Sequence, residues 1–65
     1  MITARQWQQF LTATTAWARW SVQHGRPYRH PHAQWSRVGS RYVYLQDAQG
    51  GLLARYDRKT ERIQV

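Results

Sequence analysis

Sixty-five residues with no cysteine leave room for a single domain, 1–65, with a thin core, and exclude both a disulfide framework and a thiolate metal site. Helix-on-sheet packing or self-association has to supply the missing stability. Ten Arg and Lys against three acids give a formal charge of +7, and nine of the ten are Arg. A field of one sign favours phosphate-bearing partners, although it also keeps a small protein soluble or fits an acidic protein.

From the first residues, Thr3 followed by Gln6 forms a capping box, so a helix is expected to start near Ala4. Met1 to Arg5 runs directly into this amphipathic segment without an apolar stretch, so no secretory leader is expected and the cytoplasm is the expected location. No run approaches the roughly 20 apolar residues that cross a bilayer. Trp7, Phe10, Leu11, Thr14, Ala18 and Ser21/Val22 share one stripe at helical spacing, with Trp17 on its flank. Trp20 falls off that stripe, either as an exposed aromatic or as an anchor for the following loop. Gly25 supplies a left-handed cap, and Pro27 stops the helix.

Arg26 to His32 reads as a basic, proline-stiffened loop in which Arg26 and Arg29 are placed to contact phosphates. His24, His30 and His32 bring no third convergent ligand or carboxylate, so neither a metal nor a cofactor is expected.

The remainder reads as a meander. Trp35–Val38 forms a first strand closed by a turn at Gly39-Ser40, which sets Val38 against Arg41, Arg37 against Tyr42 and Trp35 against Tyr44. Asp47-Ala48-Gln49-Gly50-Gly51 suits a type I turn with Gly50 at positive φ, placing Asp47 opposite Gly51. Carried along the strands, that turn aligns Leu45 with Leu53, Tyr44 with Ala54, Val43 with Arg55 and Tyr42 with Tyr56. Asp57 to Glu61 repeats the five-residue logic with Thr60 in the glycine position, and sets Arg55 against Ile63. The expected fold is α+β, one N-terminal helix packed on a three- to four-stranded antiparallel meander.

These registers sort the side chains into two faces. One carries Val38, Val43, Leu45, Leu53, Ile63 and Val65, with Arg55 towards its margin, and is the natural seat of the helix. The other carries Trp35, Arg37, Tyr42, Tyr44, Tyr56 and Arg62 and is left open, a composition that stacks bases and holds phosphates. The expected function is non-catalytic binding of nucleic acid, RNA or single strands, through these residues together with Arg26 and Arg29. An alternative seats the helix on the tyrosines and leaves Val43, Leu45, Leu53, Ile63 and Val65 for a homodimer or an acidic protein partner.

A third reading is a compact ribonuclease or toxin using His30 or His32. The pattern from Gly39 to Leu52, G-x-R-Y-V-Y-x-x-D-A-Q-G-G-L, resembles hairpins in the ribonuclease domains of colicins and the tyrosine-aspartate repeats of secreted shell proteins. Gly50 stands where those nucleases carry histidine and Leu52 where they carry glutamate, so the resemblance is to the hairpin and implies no activity. The histidines, acids and hydroxyls do not converge in sequence, and the chain is not expected to be an enzyme.

Overall fold

The computed structural model describes residues 2–65. A 3-10 turn, Ala4–Gln6, leads into helix α1, Trp7–Gln23, followed by strands β1, Arg37–Val38, β2, Tyr42–Gln46, β3, Leu52–Asp57, and β4, Arg62–Gln64. The strands pair antiparallel in the order β1-β2-β3-β4, so the chain is α+β with one N-terminal helix on a meander. The helix is not long and apolar enough to cross a membrane.

Both ends of the helical segment are set by local chemistry. The Thr3 hydroxyl accepts from the Gln6 N–H at 3.3 Å, and the Gln6 side chain accepts from the Thr3 N–H at 3.2 Å, closing the capping box. At the other end Gly25 takes φ 63, and the N–H groups of Gly25 and Arg26 donate to the carbonyls of Val22 and Ser21. That is a Schellman closure, and the left-handed residue it needs is the glycine.

The buried stripe of α1 is Phe10, Ala13, Trp17 and Ser21. It is rotated from the expected one, so that Trp7, Leu11 and Val22 are exposed and Trp17 moves from flank to centre. Two features account for the rotation. Ala13 is fully buried and lets helix and sheet approach closely, while the Trp17 indole N–H donates to the Arg29 carbonyl at 2.8 Å, tying the following loop across the helix. Trp20 stacks between Trp17 and His24 and packs partly on the core, so it serves as an anchor.

The first strand is shorter than expected. Ala33 to Trp35 form a turn, and Ser36 does the work of a strand backbone with its side chain. Its Oγ accepts the Gln46 N–H at 3.1 Å and donates to the His32 carbonyl at 2.9 Å, while the His32 N–H donates to the Gln46 carbonyl at 2.7 Å. The β1–β2 turn sits one residue later than expected, with Gly39 bonded to Tyr42, so Arg37 pairs with Tyr44 and Val38 with Val43. This is a shift of two, which preserves the faces.

The Asp47–Gly51 turn forms as its residues require. Asp47 Oδ1 accepts from the N–H groups of Gln49 and Gly51 at 3.0 and 2.8 Å, and Gly50 takes φ 83. Gln46 therefore pairs with Leu52, but the next pair is Leu45 with Ala54, leaving Leu53 as an extra residue in a bulge. Beyond it the expected alignment is displaced by one: Val43 meets Tyr56, Tyr44 meets Arg55 and Tyr42 meets Asp57. In the last turn no glycine is available at Thr60, and the loop takes one more residue, with Glu61 at φ 59. Arg55 consequently pairs with Gln64 rather than Ile63.

The two one-residue displacements exchange the faces of β3 alone. Val43, Leu45, Ala54 and Tyr56 are buried against Phe10, Ala13 and Trp17, with Ile63 and Val38 half-buried beside them. The helix thus covers the valine and leucine face, as expected, but Tyr56 lies beneath it and Arg55 does not. Homodimerisation through Val43 and Leu45 is removed, because both are fully buried within the chain.

The register has a direct consequence for stability. Tyr56→Ala is expected to cost about 3–5 kcal/mol, the scale of a lost core aromatic, and Tyr44→Ala about 1 kcal/mol or less, the scale of one cross-strand pair. Urea titration followed by circular dichroism measures both, and the reverse order would place β3 in the unbulged register.

Candidate nucleic-acid interface

The face of the sheet opposite α1 is uncovered among the described residues. Pairing assembles it from rows that run across the strands. In one row Arg37 of β1, Tyr44 of β2, Arg55 of β3 and Gln64 of β4 lie side by side, and in the next Tyr42, Asp57 and Arg62 do so. The Tyr42 and Tyr44 rings are 6.2 Å apart and tilted by 46°. The Arg55 guanidinium lies 4.4 Å from the centre of the Tyr42 ring, and its Nε donates to Gln64 Oε1 at 2.7 Å. Tyr42 and Gln64 thereby hold Arg55 in place. Arg41 approaches the same ring at 5.3 Å, so Tyr42 is engaged by two arginines and Tyr44 is the freer of the two rings.

Beside Tyr44 the face dips into a concavity of about 430 Å³ whose lining includes Arg37, Gln46 and Leu52. Gln46 Nε2 donates to the Gly50 carbonyl at 2.9 Å. Only the amide nitrogen can make that bond, so the orientation of the side chain is fixed and Oε1 is left as its acceptor.

Charge on this surface is divided by two ion pairs among the described residues, Arg29 with Asp47 at 3.1 Å and Arg41 with Asp57 at 3.0 Å. Asp57 is buried, and its carboxylate also accepts the N–H groups of Lys59 and Thr60 at 2.9 and 3.3 Å. Hydrogen bonding from Arg41 is the main reason its pKa falls to about 2, against an opposing contribution from burial. The same contact pushes the Arg41 guanidinium further up. With these acids occupied, Arg37, Arg55 and Arg62 have no acidic partner among the described residues.

Of the residues singled out from sequence, Arg37, Tyr42, Tyr44 and Arg62 share this face. Tyr56 does not: it is on the core side, and its burial raises its pKa. Trp35 is exposed in the turn before β1, where Arg37 rather than Trp35 pairs with Tyr44. Arg29 is held by Asp47, and Arg26 lies 5.1 Å from the Trp20 ring at the C-terminal end of α1, so neither is joined to the platform. Arg55, which the expected register set among the aliphatic residues, is its central cation. The adjacent Leu52 and Leu53 were the available signal, since a bulge is one way for neighbouring strand residues to escape strict alternation.

The histidines are engaged separately. His24 stacks on Trp20 at 4.0 Å and His30 Nδ1 lies 3.1 Å from the Tyr28 hydroxyl. No group of three His, Cys, Asp or Glu with metal-binding geometry occurs among the described residues. No family model, curated protein or solved structure matches the chain.

The Arg41–Asp57 pair makes stability depend on pH in the acid range. The Asp57 pKa in the fold, about 2, lies below the ordinary 3.8, so the stabilisation is fully present above the ordinary value and is lost as pH falls through about 2. Asp57→Asn is expected to lower the melting temperature at neutral pH and to show a weaker further loss on acidification. Thermal melts of both proteins from about pH 7 to about pH 2 measure this, and parallel acid limbs would disprove the coupling.

Proposed function

We propose that this chain binds single-stranded nucleic acid, with RNA the favoured form, through the open face of its sheet and without chemical turnover. The observation that carries the reading is the row Arg37–Tyr44–Arg55, with Tyr42 and Arg62 adjacent: cations without an acidic partner among the described residues, next to half-exposed aromatic rings. Each element has a role. Tyr44 offers a ring on which a base can stack, Arg37 and Arg62 meet phosphates, and Arg55, steadied by Tyr42 and Gln64, meets either a phosphate or a base plane. Single strands suit this face better than a duplex, because their bases are free to lie on the rings.

Anisotropy of a labelled oligonucleotide tests the reading. Single-stranded RNA is expected to bind more tightly than the matching duplex and to be recovered at full length. If Arg37, Arg55 and Arg62 each displace one counterion, the logarithm of affinity should fall with the logarithm of salt with a slope of about −2. Tyr44→Ala should weaken binding by about 5- to 150-fold, corresponding to about 1–3 kcal/mol for one stacked base. Arg55→Ala should also weaken it and flatten the slope by about 0.7. An oligonucleotide that leaves anisotropy unchanged at low salt would sink the proposal.

A further inference from the structure

Alternation along the sheet decides which backbone groups remain open at its two edges. The Arg58 N–H donates to the Arg41 carbonyl and the Gly39 N–H to the Tyr42 carbonyl. In an antiparallel sheet these bonds fix the direction of every neighbouring residue, with Tyr56 towards β2, and Arg55 and Asp57 towards β4. Arg62 and Gln64 then point back to β3, leaving Val38 as the outward residue of β1 and Ile63 as the outward residue of β4. The β1 edge has a partner within the chain, since the Gln6 side chain donates to the Val38 carbonyl at 3.5 Å. Among the described residues β4 has β3 as its one neighbouring strand, so the outward Ile63 backbone has no strand partner on that side. Ile63 also borders a groove of about 790 Å³ between α1 and β4, whose lining includes Ala16, Arg19, Trp20, Glu61 and Arg62.

We propose that the β4 edge pairs two copies of this chain, antiparallel about Ile63, joining their sheets into one. The occupant is a second copy because this edge is complementary to itself. With Ile63 facing Ile63, Arg62 faces Gln64, so no like charges lie directly opposite within the strand. The groove holds both Glu61 and Arg19, so two copies brought together there present charges of both signs to each other, and the Ile63 side chain of the added strand meets Ala16 and Trp20. Edge pairing stands without nucleic-acid binding. Where both hold, it extends the Arg and Tyr rows across two chains.

The two properties respond oppositely to salt. Each copy carries +7, so screening favours pairing while it weakens nucleic-acid binding. Sedimentation velocity over about 10 µM to about 1 mM protein, at about 0.1 M and about 1 M salt, is expected to show a monomer–dimer equilibrium that shifts to dimer at higher salt. Chemical synthesis of the chain with N-methylated Ile63 removes one donor that the monomer does not use, and should abolish the dimer while the circular dichroism spectrum is retained. Hydrogen exchange on the unmodified chain gives a second readout: the Ile63 amide should gain protection as concentration rises. A single monomeric mass throughout, or Ile63 exchange independent of concentration, overturns the proposal. Either result leaves the oligonucleotide measurements to decide nucleic-acid binding.

Discussion

One unpaired residue, Leu53, determines what the sheet shows to water. A strand sends successive side chains to opposite sides, so an extra residue in β3 exchanges the faces of everything between it and the next irregularity. Between Leu53 and the last turn lie Ala54, Arg55, Tyr56 and Asp57. The bulge places Ala54 and Tyr56 beneath α1 and sends Arg55 outward to Tyr42 and Tyr44. Without it, a guanidinium would sit under the helix and require a partner, while Tyr56 would be lost to the core. Glu61, in the left-handed region, supplies the compensating residue in the following turn. It restores the faces of β4, keeping Ile63 inward and Arg62 outward.

The arginines divide into those that hold the fold and those that do not. Arg41 clamps Asp57 at the β3–β4 turn, Arg29 ties the long loop to Asp47 at the β2–β3 turn, and Arg58 donates to the Gly39 and Ser40 carbonyls. Each contact closes a turn or pins a loop, work that a short chain with no disulfide must give to polar side chains. Arg37, Arg55 and Arg62 contribute nothing comparable to turn closure. Arg55 comes nearest, through Tyr42 and Gln64, and those contacts orient a cation on a surface. The distinction turns a uniform excess of positive charge into a local one.

Local chemistry was legible from the residues and cumulative geometry was not. Thr3 with Gln6, Gly25, and Asp47 with Gly50 each specify a motif within a few residues, and each forms as specified. The helix, the meander and the seating of α1 on Val43 and Leu45 follow from such signals. The stripe on α1 and the register of β3 depend instead on tertiary competition. Trp17 becomes central because its indole N–H reaches the Arg29 carbonyl, a bond to a loop whose path no periodicity encodes. The register expected from the Asp47 turn held for one strand pair and then slipped at Leu53. Parity carries any such slip forward, and for that reason Tyr56 and Arg55 were exchanged while Arg37, Tyr42, Tyr44 and Arg62 were placed on the correct face.

Among the described residues one helix meets a sheet that has two faces, so one face is left open; the extents of 31 × 27 × 15 Å are those of two layers. Exposure alone therefore carries no functional message. Composition does. A face selected only for solubility mixes charges of both signs and limits large rings. This one pairs two tyrosines with three arginines, and the one acid its register brings there, Asp57, is buried and bound to Arg41. Pairing that carboxylate with Arg41 stabilises the turn and offsets its negative charge, so on the proposed reading the same contact serves the fold and weakens the repulsion a phosphate would meet there.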